Sequence, residues 1–177
     1  MARIPYPERL PDVVSRLPVP LNVFKMLSHA PNLVGPTADL GLILLTGSSL
    51  SPSTRELVIM AVAAETECAY MAVQHTPIAL DAGVTRTQLD AISAGHHGGE
   101  YFDEAEISAL TVASSLLLSR TIEIDVFEAA RIRYPERQLT ELIMLVGYYV
   151  MVAGLLNGTA VDIDPWKEVD AQPSSGD

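Results

Sequence analysis

The chain has 177 residues, 49% of them hydrophobic, which is the length of one domain and ample for a single core. Its 22 acidic and 11 basic residues leave a net charge of −11, and without a Lys/Arg cluster this argues against nucleic acid or an anionic membrane as partner. A single cysteine excludes an intramolecular disulfide and fits a reducing, cytoplasmic setting.

The opening MARIPYPERLPDVV has neither an apolar core nor a small-residue cleavage site, so no signal peptide is expected. Residues 1–36 hold seven of the twelve prolines and read as an irregular arm with one helical piece, Leu21 to His29, stopped by Pro31. A second helical segment runs from Pro36 to Leu45 and breaks at Gly47-Ser48-Ser49. Ser51 then caps a helix with Pro52 at its first position, continuing through Glu56 to about Ala64. After the polar Glu65-Thr66-Glu67, a helix runs from Cys68 to about Ala82, with Gly83 just beyond its end.

Thr85 with Gln88, and Asp103 with Glu106, have capping-box spacing and open helices that end near Gly95 and Arg120. His96-His97-Gly98-Gly99 lies between them as a loop. Ile124 to Tyr134 is a further helix, closed by Pro135. Leu139 to about Asn157 is the last and most apolar. Its apolar run, Leu142 to Leu156, has 15 residues against the roughly 20 that span a bilayer, so a buried helix and no membrane partner are expected. Asp164 to Asp177 reads as a loose tail. Val161-Asp162-Ile163 alternates but is too short to build a sheet. The expectation is one all-α domain over residues 1–177, with seven or eight helices.

Chemistry concentrates between Arg55 and His75. Cys68, Met71 and His75 follow one another at three- and four-residue steps and share a helix face. In a first turn, unpaired backbone N–H groups favour the Cys68 thiolate. If the turn at 65–67 brings Glu56 onto His75, carboxylate and imidazole make a proton-transfer pair suited to chemistry beside a carbonyl. Bland alternatives stand beside each residue. Cys68 reads first as a small buried hydrophobe, Glu56 also as a solvated residue or partner of Arg55, and His75 as a core or exposed histidine; Tyr70, Tyr148 and Tyr149 read as packing aromatics. His96-His97 lacks a third ligand at zinc spacing, so no metal is expected.

Several segments, in order, resemble the carboxymuconolactone decarboxylase and alkylhydroperoxidase D-like superfamily: ARIPYPE, LNVFKMLSHAP, RELVIMAVA, the run Gln74, His75, Ala79, Gly83, and ELIMLVGYYVMV. The resemblance covers most of the chain and implies an all-α fold assembled through apolar helices as trimers or hexamers. The peroxidase branch is similar to Glu-x11-Cys-x-x-Cys-x-x-x-His; Glu56, Cys68 and His75 match it, and Met71 stands where its attacking cysteine would be. The cysteine-free branch resembles Tyr-Glu-Trp-x-Gln-His, and here Tyr70, Gln74 and His75 match while Met71 and Ala72 replace Glu and Trp.

Three functions fit these residues. The first is a lyase or isomerase, without cofactor, acting on a small organic acid, lactone or carbonyl compound. His75 would be its acid/base and Glu56 its orienting group, with help from Tyr70 or a tyrosine of the last helix. Cys68 stands with these as a catalytic candidate; Arg55, Met71, Gln74 and Tyr148 are expected to line the substrate. The second is a single-cysteine thiol peroxidase working through a Cys68 sulfenic acid. The third is a non-catalytic oligomeric or ligand-binding member.

Overall fold

The computed structural model of the chain describes residues 1–16 and 19–164. Among them are nine α-helices and no strand: α1 (Asp12–Ser15), α2 (Asn22–Leu27), α3 (Pro31–Leu42), α4 (Pro52–Glu65), α5 (Ala69–Asp81), α6 (Arg86–Ser93), α7 (Glu104–Ser119), α8 (Ile124–Arg133) and α9 (Glu136–Thr159). A π-helical turn, Ile43–Gly47, follows α3, and a 3-10 turn, Gly99–Tyr101, precedes α7.

The start signals act as their chemistry predicts. The Ser51 hydroxyl accepts from the Thr54 N–H at 3.0 Å with Pro52 at the first helical position, and both capping boxes close, Thr85 with Gln88 and Asp103 with Glu106. Gly83 follows α5 at φ 95°, a left-handed conformation that glycine adopts without a Cβ clash.

The N-terminal arm is more ordered than its prolines suggest. Pro31 opens α3 instead of separating two helices, because a first-turn residue has no intrahelical acceptor for an N–H. Pro36 lies inside α3, where it costs a single backbone bond. The segment expected from Pro36 to Leu45 is therefore the second half of α3 running into the π-turn.

α4 is the centre of the molecule and packs against α5, α6, α7 and α9. Nine of its residues are buried, including Leu57, Val58, Ile59 and Val62. On one side Val58, Ile59 and Val62 join Met71, Ala109, Leu142, Leu145, Tyr149 and Leu156 in the main core. On the other, Leu57, Met60 and Ala61 pack with Ala79, Leu89, Ile92 and Leu110 in a smaller one. α9 has 24 residues, and its most apolar 18-residue stretch has a mean hydropathy of 1.9, so by length and composition it could cross a bilayer. It serves instead as a core helix, burying Leu142, Leu145, Val146, Tyr149, Ala153 and Leu156.

The chain ends of the described region meet. The Arg3 N–H donates to the Thr159 carbonyl at 2.8 Å, and the Asp162 carboxylate receives the Met1 ammonium, the Ala2 N–H and the Tyr6 hydroxyl. Asp164, expected to begin a loose tail, is anchored: its carboxylate accepts from the Asn22 N–H at 2.8 Å and the Tyr70 hydroxyl at 2.6 Å. The rest of the expected tail, 165–177, lies outside the described residues.

Candidate functional site

α4 and α5 form an antiparallel hairpin. The turn works because Glu67 adopts φ 50° and the Cys68 N–H reaches back to the Ala63 carbonyl at 2.8 Å. The Asn157 amide of α9 holds the outer face of the turn by donating to the Thr66 carbonyl at 2.7 Å. Twelve residues back from Cys68 and seven forward, the two arms bring Glu56 against His75.

His75 Nδ1 lies 2.9 Å from Glu56 Oε2, with the carboxylate side chain 3% exposed and the imidazole 12%. An ionised carboxylate only accepts, so Nδ1 carries the hydrogen and Nε2 is the nitrogen left for chemistry. The ring is fixed on its other side by Tyr149, whose ring centroid is 5.1 Å away at 87°. Tyr149 is in turn held edge-to-face by Tyr148 at 5.2 Å, and the Tyr148 hydroxyl donates to the Thr37 carbonyl at 3.0 Å. Gly41 is the floor of this stack: a Cβ there would stand 2.4 Å from the Tyr148 hydroxyl oxygen.

The remaining expected site residues take other posts. Tyr148 supports Tyr149 from behind and its hydroxyl is spent on α3. Tyr70 donates to Asp164, and burial, then that carboxylate, push its phenol pKa far up. Gln74 donates to the Asp164 carbonyl at 2.9 Å. Both therefore face the end segment of the described chain, and neither hydrogen-bonds His75. Met71 is 2% exposed and belongs to the main core rather than to a pocket wall. Arg55 donates from Nη1 to the Leu50 carbonyl at 2.7 Å, while its Nε is buried without a partner. Its charge acts on the Tyr149 hydroxyl.

Cys68 takes the buried place that its bland reading favours. It is the N-cap of α5, 1% exposed, and burial pushes its thiol up; the backbone N–H groups of Met71 and Tyr70 oppose this but do not overcome it. The helix start thus acts in the expected direction and loses to desolvation. A shallow cavity of about 230 Å³ touches Cys68 together with Met60, Ala63, Ala64 and Ala72, and its lining includes neither Glu56 nor His75. The histidines of the loop separate: His97 Nδ1 is 2.7 Å from the Ser114 hydroxyl, and His96 stacks on Tyr101.

Tyr149 is the residue of this cluster that sequence reasoning passed over for its neighbour. A signal was present, since Leu142, Leu145, Val146, Tyr149, Ala153 and Leu156 follow the helical period of one buried face. Which residue that face would meet depended on the turn at 65–68.

A family model described as the carboxymuconolactone decarboxylase family matches residues 36–115, which contain Glu56, Cys68 and His75. Among solved structures, an uncharacterized peroxidase-related protein from Silicibacter sp. TM1040 is 19% identical over 92% of this chain and 92% of its own, with a TM-score of 0.79. A second, described as an alkylhydroperoxidase AhpD core and an uncharacterized peroxidase-related protein from Ralstonia eutropha JMP134, has the same identity, coverage and TM-score. The debrominase Bmp8, as a variant in complex with 2,3,4-tribromopyrrole, is 16% identical over 86% of this chain and 81% of its own, at a TM-score of 0.71. At these identities the likeness establishes the fold. No curated protein matches the chain significantly.

Proposed function

Because the chain belongs to the carboxymuconolactone decarboxylase/alkylhydroperoxidase D-like superfamily, we propose that it is an enzyme of lyase or isomerase type that acts on a small organic acid, lactone or other carbonyl compound, with His75 as acid/base and Glu56 as its orienting group. The observation that carries this is the 2.9 Å contact between His75 Nδ1 and a Glu56 carboxylate that is almost wholly buried. A buried carboxylate committed to one ring nitrogen fixes the tautomer and stabilises the imidazolium, which is what proton transfer at Nε2 requires.

In an isomerisation, Nε2 takes the proton from the carbon next to the carbonyl. The C–H electron pair moves into the enolate, and the imidazolium returns the proton at a different carbon. In a decarboxylation, the electron pair of the breaking C–C bond becomes the enolate as CO2 leaves, and His75, having taken a proton from water at Nε2, gives that proton to the carbon. Glu56 orients the ring through its hydrogen bond with Nδ1 and is not itself a reacting group.

Thiol chemistry is the weaker alternative. Met71 stands where an attacking cysteine would be needed, and a thioether forms no thiolate. Cys68 is buried with its thiol pushed up. The test is turnover of a panel of lactones and β-keto acids by wild type, His75→Gln and Glu56→Gln, beside dithiothreitol-dependent hydroperoxide consumption by wild type and Cys68→Ser. Turnover lost with His75 and hydroperoxide rates at background support the proposal. Unchanged turnover in His75→Gln, or peroxide consumption that vanishes with Cys68, overturns it.

The proposal includes a homo-oligomer. Met144, Val150 and Met151 of α9 are 49, 41 and 54% exposed, and Gly147 and Gly154 lie on the same outward face. Such a face suits close packing against a second copy. Sedimentation of wild type and Met151→Glu tests it: an assembly that Met151→Glu dissociates supports it, and a wild-type monomer at micromolar concentration refutes it.

A further inference from the structure

Two hydrogen-bond donors beside the Glu56–His75 pair have no acceptor. Tyr149 is 4% exposed, yet no described residue hydrogen-bonds its hydroxyl, and the small area the residue exposes includes that oxygen. Arg55 Nε is buried and unpartnered. Buried polar groups in folded proteins are nearly always paired, and an exception needs a cause. Among the described residues the unpaired buried atoms are Arg55 Nε and, in a separate loop, His97 Nε2; only Arg55 belongs to this cluster, where the Tyr149 ring packs on the His75 ring at 5.1 Å and its hydroxyl feels the charges of both Glu56 and Arg55.

Both unsatisfied groups are donors at a place where an acid/base pair already stands, so the missing partner is an acceptor that carries negative charge. We propose that Tyr149 is the oxyanion donor of this site: its hydroxyl hydrogen-bonds the substrate oxygen as it becomes an enolate, and Arg55 supplies the adjoining positive field. The substrate class is then a compact carbonyl compound whose oxygen gains charge in the reacting state, bound at the Tyr149 hydroxyl beside the His75 ring. This deepens the acid/base function proposed above and rests on it for the identity of the reaction.

Burial first, then Glu56 and Tyr148, push the Tyr149 phenol well above its ordinary value, with Arg55 pulling the other way. The hydroxyl therefore stays protonated at working pH and serves as a donor rather than a base. Donors already aimed at a developing oxyanion need no reorganisation when the charge appears, which is the largest source of catalytic stabilisation at many sites. The stack behind the ring, Tyr148 on Gly41, holds the hydroxyl in place.

The test uses 4-nitrophenolate, a planar oxyanion whose absorption band moves to shorter wavelength when its oxygen accepts a strong hydrogen bond. Titration of wild type with this probe is expected to saturate and to show that shift. Tyr149→Phe, which keeps the ring and removes only the hydroxyl, is expected to bind roughly tenfold to a hundredfold more weakly and to lose the shift. Arg55→Gln is expected to weaken binding with the shift retained. Circular dichroism and melting of each variant establish that it is folded. No binding by wild type, or equal affinity and shift in Tyr149→Phe, overturns the proposal. His75→Gln separates the two inferences: nitrophenolate binding retained with turnover lost supports both, and turnover retained sinks the acid/base function while leaving the oxyanion site to stand on its own titration.

Discussion

Gly41→Ala is expected to destabilise the protein although alanine is the better helix former. An added Cβ at position 41 meets the Tyr148 hydroxyl oxygen at 2.4 Å, its ring carbon Cζ at 2.9 Å and Cε1 at 3.4 Å. The first two distances are closer than non-bonded carbon contacts allow, and Tyr148 is 9% exposed and pinned to Thr37, so it must move or break that bond. Forced overpacking costs about 1–3 kcal/mol, and losing the hydrogen bond adds about 1 kcal/mol. The helix propensity gained over glycine returns about 1 kcal/mol. The net is a loss of about 2 kcal/mol, which for a chain of this size lowers Tm by about 4–8 °C. Thermal melting and urea denaturation measure it. Gly158→Ala, in α9 with nothing within 4 Å of the added Cβ, is the control and should be neutral or raise stability by up to about 1 kcal/mol. Adding Tyr148→Phe to Gly41→Ala removes the 2.4 Å contact but leaves the one at 2.9 Å, so part of the loss should be recovered. A Gly41→Ala protein as stable as Gly158→Ala would refute the stack from Gly41 through Tyr148 to Tyr149 and His75.

Glu141 ties α9 to the loop after the π-turn, accepting from the Ser48 hydroxyl, the Ser49 N–H and hydroxyl, and Arg137 Nε. Partial burial pushes its carboxyl up, but the hydrogen bonds from Ser49, Arg137 and Ser48 outweigh this and hold it at about 2. A carboxyl lowered in the folded state contributes its full stability above its unfolded value, about 4.3, and loses it as pH falls towards the folded one. Glu141→Gln should therefore cost about 1–2 kcal/mol at pH 7, after allowance for solvent screening, and should flatten the fall in stability between about pH 4 and pH 2. Cys68 should react with a disulfide reagent in the native protein far more slowly than in urea; equal rates would contradict its burial. Asp164→Ala should cost about 2 kcal/mol, because it leaves the Tyr70 hydroxyl and the Asn22 N–H without their acceptor. A change of less than about 0.5 kcal/mol would show that the anchor is not formed.

Much of the fold was legible because its signals are local. A cap needs only the residue three places on, and Ser51, Thr85 and Asp103 each found theirs. Prolines were misjudged where position outweighs identity: Pro31 opens α3 at no cost in backbone bonds, and Pro36 continues it. At the site, residue spacing nominated Glu56 and His75, but their contact depends on the left-handed Glu67 and the Cys68-to-Ala63 bond, which composition does not announce. Tyr70 reads as a catalytic helper and Gln74 as a substrate contact because the resemblance groups them with His75, whereas on the helix both reach Asp164. Asp164 belongs by composition with the tail after it, and its anchoring needs α2 and α5 to be in place already. The thiol of Cys68 illustrates two opposed effects of known sign, helix start and burial, whose balance only packing decides.

The central claim is that the Glu56–His75 pair moves protons at carbon next to a carbonyl. Its most direct test is proton–deuterium exchange in D2O, followed by proton NMR on a panel of β-keto acids, lactones and simple ketones. Exchange reports formation of the enolate whatever the final product. Wild type should exchange the carbon-bound hydrogen of at least one compound well above the buffer rate, and His75→Gln and Glu56→Gln should lose at least about a hundredfold of that rate. Exchange undiminished in His75→Gln, or none by wild type on any compound of the panel, would contradict the account.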